Sequence, residues 1–131
     1  MLTLTVRQPW AHLIAHGLKK IENRSWFTAH RGPLAIHAAK SRSPADLMEE
    51  LERDGILPPG EKLTYGAIIA VVTVTDCIAV DDLAPELDAD PFGSGPWCWL
   101  LGEARPVGPI PCKGQLGLWE FAGKIRRAKK K

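Results

Sequence analysis

Apolar and polar residues alternate at the start of the chain. Leu2, Leu4 and Val6 share one face of an extended segment, which is the period-two pattern of a half-buried strand. Pro9 then suits the first turn of a helix, because its missing N–H would have no partner there. Gly17 is expected to end that helix, since glycine readily adopts the left-handed conformation. The pattern therefore predicts a strand, a short helix and a turn, followed by an extended run.

Further along, the longest β-rich run is residues 65–80, whose apolar residues are nearly continuous. Such a run is typical of a strand buried on both faces, so we expect it at the centre of a sheet. Shorter strands are predicted at 97–101 and 119–121. A helix is predicted to begin at Ser43, with the serine as N-cap and proline in the first turn. The acidic, turn-rich residues 81–96 are interpreted as a surface loop that could act as a lid.

A chain of 131 residues with 45% hydrophobic and 24% charged residues is expected to form one core. No apolar run is long enough for a membrane span, and we expect no secretory leader and a cytoplasmic location. Cys77, Cys98 and Cys112 are too widely spaced for a paired-cysteine metal site. We therefore expect reduced thiols, no metal and no cofactor.

Charge is strongly segregated along the chain. Residues 1–42 contain seven lysines and arginines and one acidic residue, whereas residues 43–123 contain four against fourteen. Residues 124–131 add six more cations. An anionic ligand is therefore expected at a surface built by the first third of the chain. The basic tail is expected to be disordered and to raise nucleic-acid affinity without forming a defined site.

The first third also carries an acidic residue among cations, with Glu22 between Lys19 and Arg24. One interpretation is a local salt-bridge network, in which each exposed pair contributes about 0–1 kcal/mol. The other is that the cations bind phosphate while Glu22 fixes their geometry. Charge alone leaves both interpretations open.

The spacing Gly17, Lys19, Glu22, Arg24 resembles the Gly-x-Lys-x-x-Glu-x-Arg signature of the ASCH domain family, which is related to PUA domains. Other blocks that resemble small members of this family are Arg7–Trp10, Glu22–Trp26, Arg31–Pro33, Ile36–Ala38 and Gly114–Trp119. The resemblance implies an α+β fold, a PUA-like compact β-barrel with flanking helices. It also implies a cleft suited to RNA or a modified nucleoside. We expect the ASCH domain at residues 1–121 and a basic tail at 122–131.

Binding is expected to combine phosphate-contacting cations with an exposed aromatic ring on which a base stacks, Trp26 or Trp97 being favoured for that ring. His37 lies on a strand face with small neighbours that could leave room for a ligand, although a hydrogen-bonded structural histidine is the alternative. The candidate ligand-binding residues are Arg7, Trp10, Lys19, Lys20, Glu22, Asn23, Arg24, Trp26, His37, Trp97 and Lys113.

Two main function classes follow. The first is a non-enzymatic module that binds RNA or another nucleic acid. The alternative is a small hydrolase, because some family relatives resemble N4-acetylcytidine amidohydrolases or ribonucleases. In that case Lys19 and Glu22 would be catalytic. The family's threonine nucleophile is replaced here by Glu22, which favours binding over catalysis. A protein-interaction role, suggested by family members attached to transcriptional regulators, is a third interpretation.

Overall fold

The computed structural model describes residues 1–83 and 96–126. The predicted lid falls almost entirely in residues 84–95, and the end of the tail in 127–131, so both lie outside the described residues. The elements, in chain order, are β1 (Leu2–Val6), α1 (Trp10–Ala15), β2 (Ile21–Arg24), β3 (Gly32–Ala38), α2 (Ala45–Arg53), β4 (Ala67–Ala79), a 3-10 turn (Val80–Asp82), β5 (Trp97–Pro111) and β6 (Leu118–Glu120).

The described strands form one six-stranded sheet in the order β2-β5-β4-β3-β1-β6. Only β1 and β3 are parallel, and the other neighbours are antiparallel. The long apolar strand β4 lies between β3 and β5, as its continuous hydrophobic run predicts. Its first six residues are buried on both faces. The register shifts at several points along β4, and such irregularities bend a sheet.

The sheet curls into an open barrel. Strands β2 and β1 are distant in the strand order, yet Arg24 of β2 donates a hydrogen bond to the Thr5 carbonyl of β1 at 2.9 Å. The main core fills the inside of this curl, where fully buried Trp99 packs with residues of α1 and β3. The α+β architecture that the resemblance implies, a curled sheet with flanking helices, is confirmed.

Two smaller clusters complete the packing. Helix α2 lies over α1 through Leu51, which packs with Leu13 and Leu57. On the other side of the sheet, Ile125 packs against the cluster that contains Val107. The predicted domain boundary at residue 121 stays a prediction, and the chain just beyond it contacts β5 through a hydrogen bond from the Gly108 N–H to the Arg126 carbonyl. No helix in the described residues is long and apolar enough to cross a membrane.

The predicted start of the second helix differs from the structure. Helix α2 begins at Ala45, with Pro44 rather than Ser43 at the N-cap and no side-chain cap. The Ser43 hydroxyl instead lies 3.0 Å from the Tyr65 hydroxyl. The prediction that Ser43 caps the helix is therefore wrong, because a partner distant in sequence takes the hydroxyl.

Candidate nucleic-acid interface

The turn after α1 directs the Gly17 to Arg24 motif into the protein. Gly17 has φ of +72°, a conformation that only glycine adopts without strain. The Leu13 carbonyl accepts the backbone N–H groups of Leu18 at 2.9 Å and Lys19 at 3.1 Å. These bonds cap the helix and reverse the chain, as expected for a glycine just past a helix C-terminus. The side chain of Lys19 consequently enters the interior instead of following the strand.

Lys19 is a buried cation whose side chain is only 3% exposed. Its ammonium donates a hydrogen bond to the Ile21 carbonyl. It also lies 3.9 Å from the Glu22 carboxylate oxygen Oε1. A buried ammonium needs such partners, because transferring an unpaired charge out of water is very costly.

Glu22 and Arg24 share one face of β2, two residues apart. The Glu22 side chain is 9% exposed, and its Oε2 lies 2.9 Å from both Nε and Nη2 of Arg24. Charge-assisted contacts of this length are the stronger class of hydrogen bond in proteins. Glu22 therefore fixes the plane of the guanidinium and also lies between the two cations.

Arg24 reaches from β2 across to β1. Nη2 donates to the Thr5 carbonyl at 2.9 Å. The pairing of β1 with β6 ends at Leu4. The Thr5 carbonyl lies beyond that pairing, and Arg24 donates to it. Nη1 makes no hydrogen bond with any residue of 1–83 or 96–126, and the side chain is 25% exposed. Among residues 1–83 and 96–126, the guanidinium is thus held on one edge and has no hydrogen-bond partner on the other.

The structure therefore brings together three of the candidate residues, Lys19, Glu22 and Arg24. Two other cations of the first third, Arg7 and Lys20, are exposed. Lys20 lines a hollow of about 310 Å³ that also includes Lys19 and Gly17. Both remain candidates for electrostatic attraction, and neither belongs to the buried cluster.

Asn23 faces away from this cluster. Its Nδ2 lies 3.4 Å from the Cys98 sulfur on β5. Its Oδ1 is buried and has no hydrogen-bond partner in the described part of the chain. Asn23 therefore contacts the β5 side of the ladder and not the open edge of Arg24.

The candidate aromatic residues differ in their surroundings. Trp26 packs edge-on against Trp99 at a centroid distance of 4.8 Å, and its carbonyl accepts the Trp99 indole N–H at 3.3 Å. Trp10 packs against both the main core and the cluster under α2. Trp97 is opposite Arg24 in the ladder and contacts Phe27 at 5.2 Å. Phe27 is 49% exposed, which makes its ring the most accessible near the motif among the described aromatics.

His37 is buried within β3 and is hydrogen-bonded at both ring nitrogens. Nε2 lies 2.8 Å from the Cys112 carbonyl, and Nδ1 lies 3.3 Å from the Thr5 hydroxyl. His37 is therefore hydrogen-bonded as a structural histidine would be, which was the alternative to a ligand-binding role. His37 nevertheless lines a cavity with Thr5 and Lys113. The space for a ligand that was expected beside this histidine is therefore present.

No group of three His, Cys, Asp or Glu side chains in the described residues is arranged to bind a metal ion. The rings of His12 on α1 and His16 at its C-cap lie 4.3 Å apart and are tilted by 46°, and His12 lies 3.6 Å from Glu61. Burial, followed by the neighbouring His16, lowers the pKa of His12, while Glu61 acts in the opposite direction. Burial also raises the pKa of the Cys112 thiol. The three cysteines are free thiols.

The sequence did not identify Thr5 or Phe27 as candidate site residues, and it marked Gly114 only as part of a block that resembles the family. Thr5 joins the motif to the cavity, because its carbonyl accepts from Arg24 and its hydroxyl contacts His37. Nothing in its local pattern distinguishes it from the other threonine of β1. Phe27 follows Trp26 directly, so the sequence could have raised both rings as candidates. Gly114 approaches Thr5 and His37 so closely that an added Cβ would lie 2.8 Å from each.

Comparison with known proteins points to one domain family. The family model of the ASCH domain matches residues 4–108. Activating signal cointegrator 1 from Homo sapiens is 31% identical over 137 residues, and its Mus musculus counterpart is 28% identical over 136 residues. Each alignment covers 98% of this chain and 23% of the relative. The chain therefore spans about a quarter of the length of these relatives.

Among solved structures, the ASCH protein from Zymomonas mobilis superposes with a TM-score of 0.49 and 15% identity, covering 84% of this chain and 72% of that one. A point mutant of the same Zymomonas mobilis protein gives the same score and identity, with 84% and 74% coverage. The family model covers most of the chain, including the complete Gly17 to Arg24 motif. The chain belongs to the ASCH domain family.

Proposed function

We propose that this protein binds RNA and that Arg24, held in place by Glu22, contacts a phosphate group. The ASCH family is generally linked to RNA binding, and the motif geometry supplies the residue-level hypothesis. The observation that carries this proposal is that only part of the Arg24 guanidinium is hydrogen-bonded within the described residues. Nε and Nη2 are bonded to Glu22 and Thr5, while Nη1 makes no hydrogen bond within the described residues.

This geometry suits an anion for a physical reason. An arginine that is already fixed loses less side-chain entropy when it binds than a freely rotating one. Its remaining N–H groups form charge-assisted hydrogen bonds with phosphate oxygens. Glu22 is then a positioning residue that orients Arg24 without contacting the ligand.

The charge of the residues around the motif also supports binding of an anionic ligand. The first 42 residues carry seven cations against one acid, and that acid is Glu22, which lies between two of those cations. Arg7 and Lys20 are exposed and add to the positive potential that attracts a polyanion. In this proposal they raise the affinity without reading sequence.

An aromatic platform lies next to the proposed phosphate contact. Trp97 pairs with Arg24 across the β2–β5 ladder, and Phe27 packs on Trp97. An exposed ring can stack on an unpaired base, which contributes about 1–3 kcal/mol per base. We propose Phe27, supported by Trp97, as the stacking residue, whereas Trp26 is engaged with Trp99. This preference favours single-stranded RNA, whose bases are accessible.

Binding explains Glu22 better than hydrolysis does. In the hydrolase alternative, Glu22 would activate water beside Lys19. The carboxylate is instead enclosed at 9% exposure, and its Oε2 accepts hydrogen bonds from Arg24. A general base must reach the proton that it removes. The observed contacts favour an orienting role, and a modified nucleoside remains the ligand to compare with RNA.

The test is fluorescence anisotropy of a labelled single-stranded RNA with the wild type and Arg24→Gln. We expect Arg24→Gln to weaken binding by about 10- to 100-fold, since a hydrogen bond to a charged group is worth about 1.5–3 kcal/mol. Arg53→Gln is the matched control, because Arg53 is an exposed arginine of α2 in the acidic part of the chain. Equal losses in the two variants would refute a specific role for Arg24. N4-acetylcytidine is incubated in parallel, and its turnover would refute a purely binding function.

A further inference from the structure

A second concave site lies on the other side of Thr5. It is a cavity of about 660 Å³ between the ends of β1 and β3 and the loop that joins β5 to β6. Cavities of this size are in the range of small-molecule sites. We call it the Lys40–Lys113 cavity, and its lining residues are Thr5, His37, Ala39, Lys40, Cys112, Lys113, Gly114, Gln115 and Leu116.

A continuous set of hydrogen bonds fixes the floor of this cavity. The Trp119 indole N–H donates to the Thr5 hydroxyl at 3.2 Å, and that hydroxyl lies 3.3 Å from His37 Nδ1. His37 Nε2 donates to the Cys112 carbonyl at 2.8 Å, since a carbonyl can only accept. Every group in this set is satisfied, so the floor is preorganised rather than collapsible.

The loop above the floor is closely fitted to it. An added Cβ at Gly114 would lie 2.8 Å from the His37 ring and 2.8 Å from the Thr5 hydroxyl. The backbone of Gly114 is therefore in direct contact with the floor, and only glycine allows this approach. That contact places the neighbouring side chains Lys113 and Gln115 beside the cavity.

The cavity is cationic. Lys40 and Lys113 both line it, and no carboxylate lies among its described lining residues. Neither lysine forms an ion pair within residues 1–83 and 96–126. The aliphatic stem of Lys40 lies along Gly66, whose built Cβ would be 3.2 Å from Lys40 Cγ. Because its stem is packed in this way, the Lys40 ammonium can reach fewer positions than the ammonium of a free surface lysine.

The remaining wall combines an apolar residue with an amide. Leu116 is 99% exposed at this site, which is unusual for a large apolar side chain. Gln115 beside it offers both a donor and an acceptor. An apolar contact, an amide and two cations around one cavity match a ligand that has a flat ring, a hydrogen-bonding edge and an anionic group.

We propose that the Lys40–Lys113 cavity binds a single nucleotide. The base lies against Leu116 with its edge at Gln115, and the phosphate lies between Lys40 and Lys113. This site contains none of the residues from Lys19 to Arg24. It meets that motif at Thr5, whose carbonyl accepts from Arg24 and whose hydroxyl is part of the cavity floor. The proposal does not rest on the RNA contact proposed above.

Trp119 provides a direct probe, because its indole N–H is bonded to the cavity floor. We would titrate the full chain, labelled with nitrogen-15, with AMP and separately with UMP, and follow the indole N–H resonances of the five tryptophans. A Trp119→Phe variant assigns the resonance. We expect a saturable shift of the Trp119 signal with at least one of the two nucleotides. No shift with either nucleotide at millimolar concentration would overturn the proposal.

Matched ligands and variants test each part of the site. We expect Lys113→Gln and Lys40→Gln each to weaken nucleotide binding about tenfold, while Lys62→Gln, an exposed lysine outside the cavity, leaves it unchanged. Adenosine binding as tightly as AMP would overturn the phosphate assignment, and inorganic phosphate binding as tightly would overturn the base assignment. Arg24→Gln is expected to leave AMP binding within twofold, so failure of RNA binding and failure of this site are distinguishable.

Discussion

Glu22→Gln separates an orienting carboxylate from a catalytic one. The substitution keeps the size of the side chain and one acceptor oxygen, and it removes the charge that Lys19 and Arg24 share. Both Arg24 contacts to Oε2 are 2.9 Å, and Lys19 lies 3.9 Å from Oε1. A catalytic base could lose its charge with the fold intact, whereas a structural carboxylate in this position could not.

The expected magnitude follows from these contacts. Hydrogen bonds to a charged group contribute about 1.5–3 kcal/mol and neutral ones about 1 kcal/mol, so the two bonds from Arg24 together lose roughly 2 kcal/mol. Removing one member of a buried ion pair costs about 3–5 kcal/mol, which is an upper limit because the amide keeps one acceptor. We expect the free energy of unfolding to fall by about 2–3 kcal/mol, or roughly 6–12 °C in Tm for a domain of this size.

Urea unfolding of the wild type, Glu22→Gln, Arg24→Gln and the double variant measures this directly. The double-mutant cycle should give a coupling energy of about 1–3 kcal/mol, as for residues in one network. Glu49→Gln on the exposed face of α2 is the control, and it should leave stability unchanged. If Glu22→Gln were as stable as the wild type, Glu22 would not be holding Arg24 and the reasoning would be refuted.

Three further predictions concern the turn, the helix histidine and the cavity thiol. Gly17→Ala should cost about 1–2 kcal/mol because φ is +72°, whereas Gly108→Ala, which has open space, should cost nothing measurable by urea unfolding. Because burial lowers the pKa of His12 below 6.5 in the folded state, the unfolded chain binds more protons than the folded chain between the folded-state pKa and 6.5. Stability should therefore fall as the pH drops below about 6.5, and His12→Gln should flatten that dependence. Finally, the raised pKa of Cys112 predicts alkylation by iodoacetamide at neutral pH that is slower than that of free cysteine.

Local patterns in the sequence predicted much of the fold. The alternation in β1, the glycine after α1 and the apolar run of β4 are each decided by neighbouring residues, and the structure has a strand, a left-handed glycine and a buried central strand at these places. Thr3 is nevertheless fully buried, so β1 is not the half-buried strand that its alternation predicts. Ser43 shows the limit of this reasoning, because Tyr65, far along the chain, takes its hydroxyl. Strand β5 also extends to Pro111, beyond the predicted 97–101, since pairing with β4 overrides weak local propensity.

The candidate site was predictable in its composition but not in its arrangement. Motif spacing identified Lys19, Glu22 and Arg24, and the structure brings them together. Spacing could not show that Arg24 crosses to Thr5, because that contact depends on how the sheet curls. It also could not distinguish Trp26, which packs on Trp99, from the exposed Phe27. Exposure is a tertiary property that two adjacent aromatic residues do not reveal.

The salt dependence of RNA binding tests the phosphate contact of Arg24 most directly. The measurement is the slope of log Kd against log salt concentration for a single-stranded RNA, with the wild type, Arg24→Gln and Arg53→Gln. Each phosphate contact on a single strand contributes about 0.7 to this slope through counterion release. We expect Arg24→Gln to lower the slope by about 0.7 and Arg53→Gln to leave it unchanged. An unchanged slope in Arg24→Gln would contradict the assignment of this arginine to phosphate.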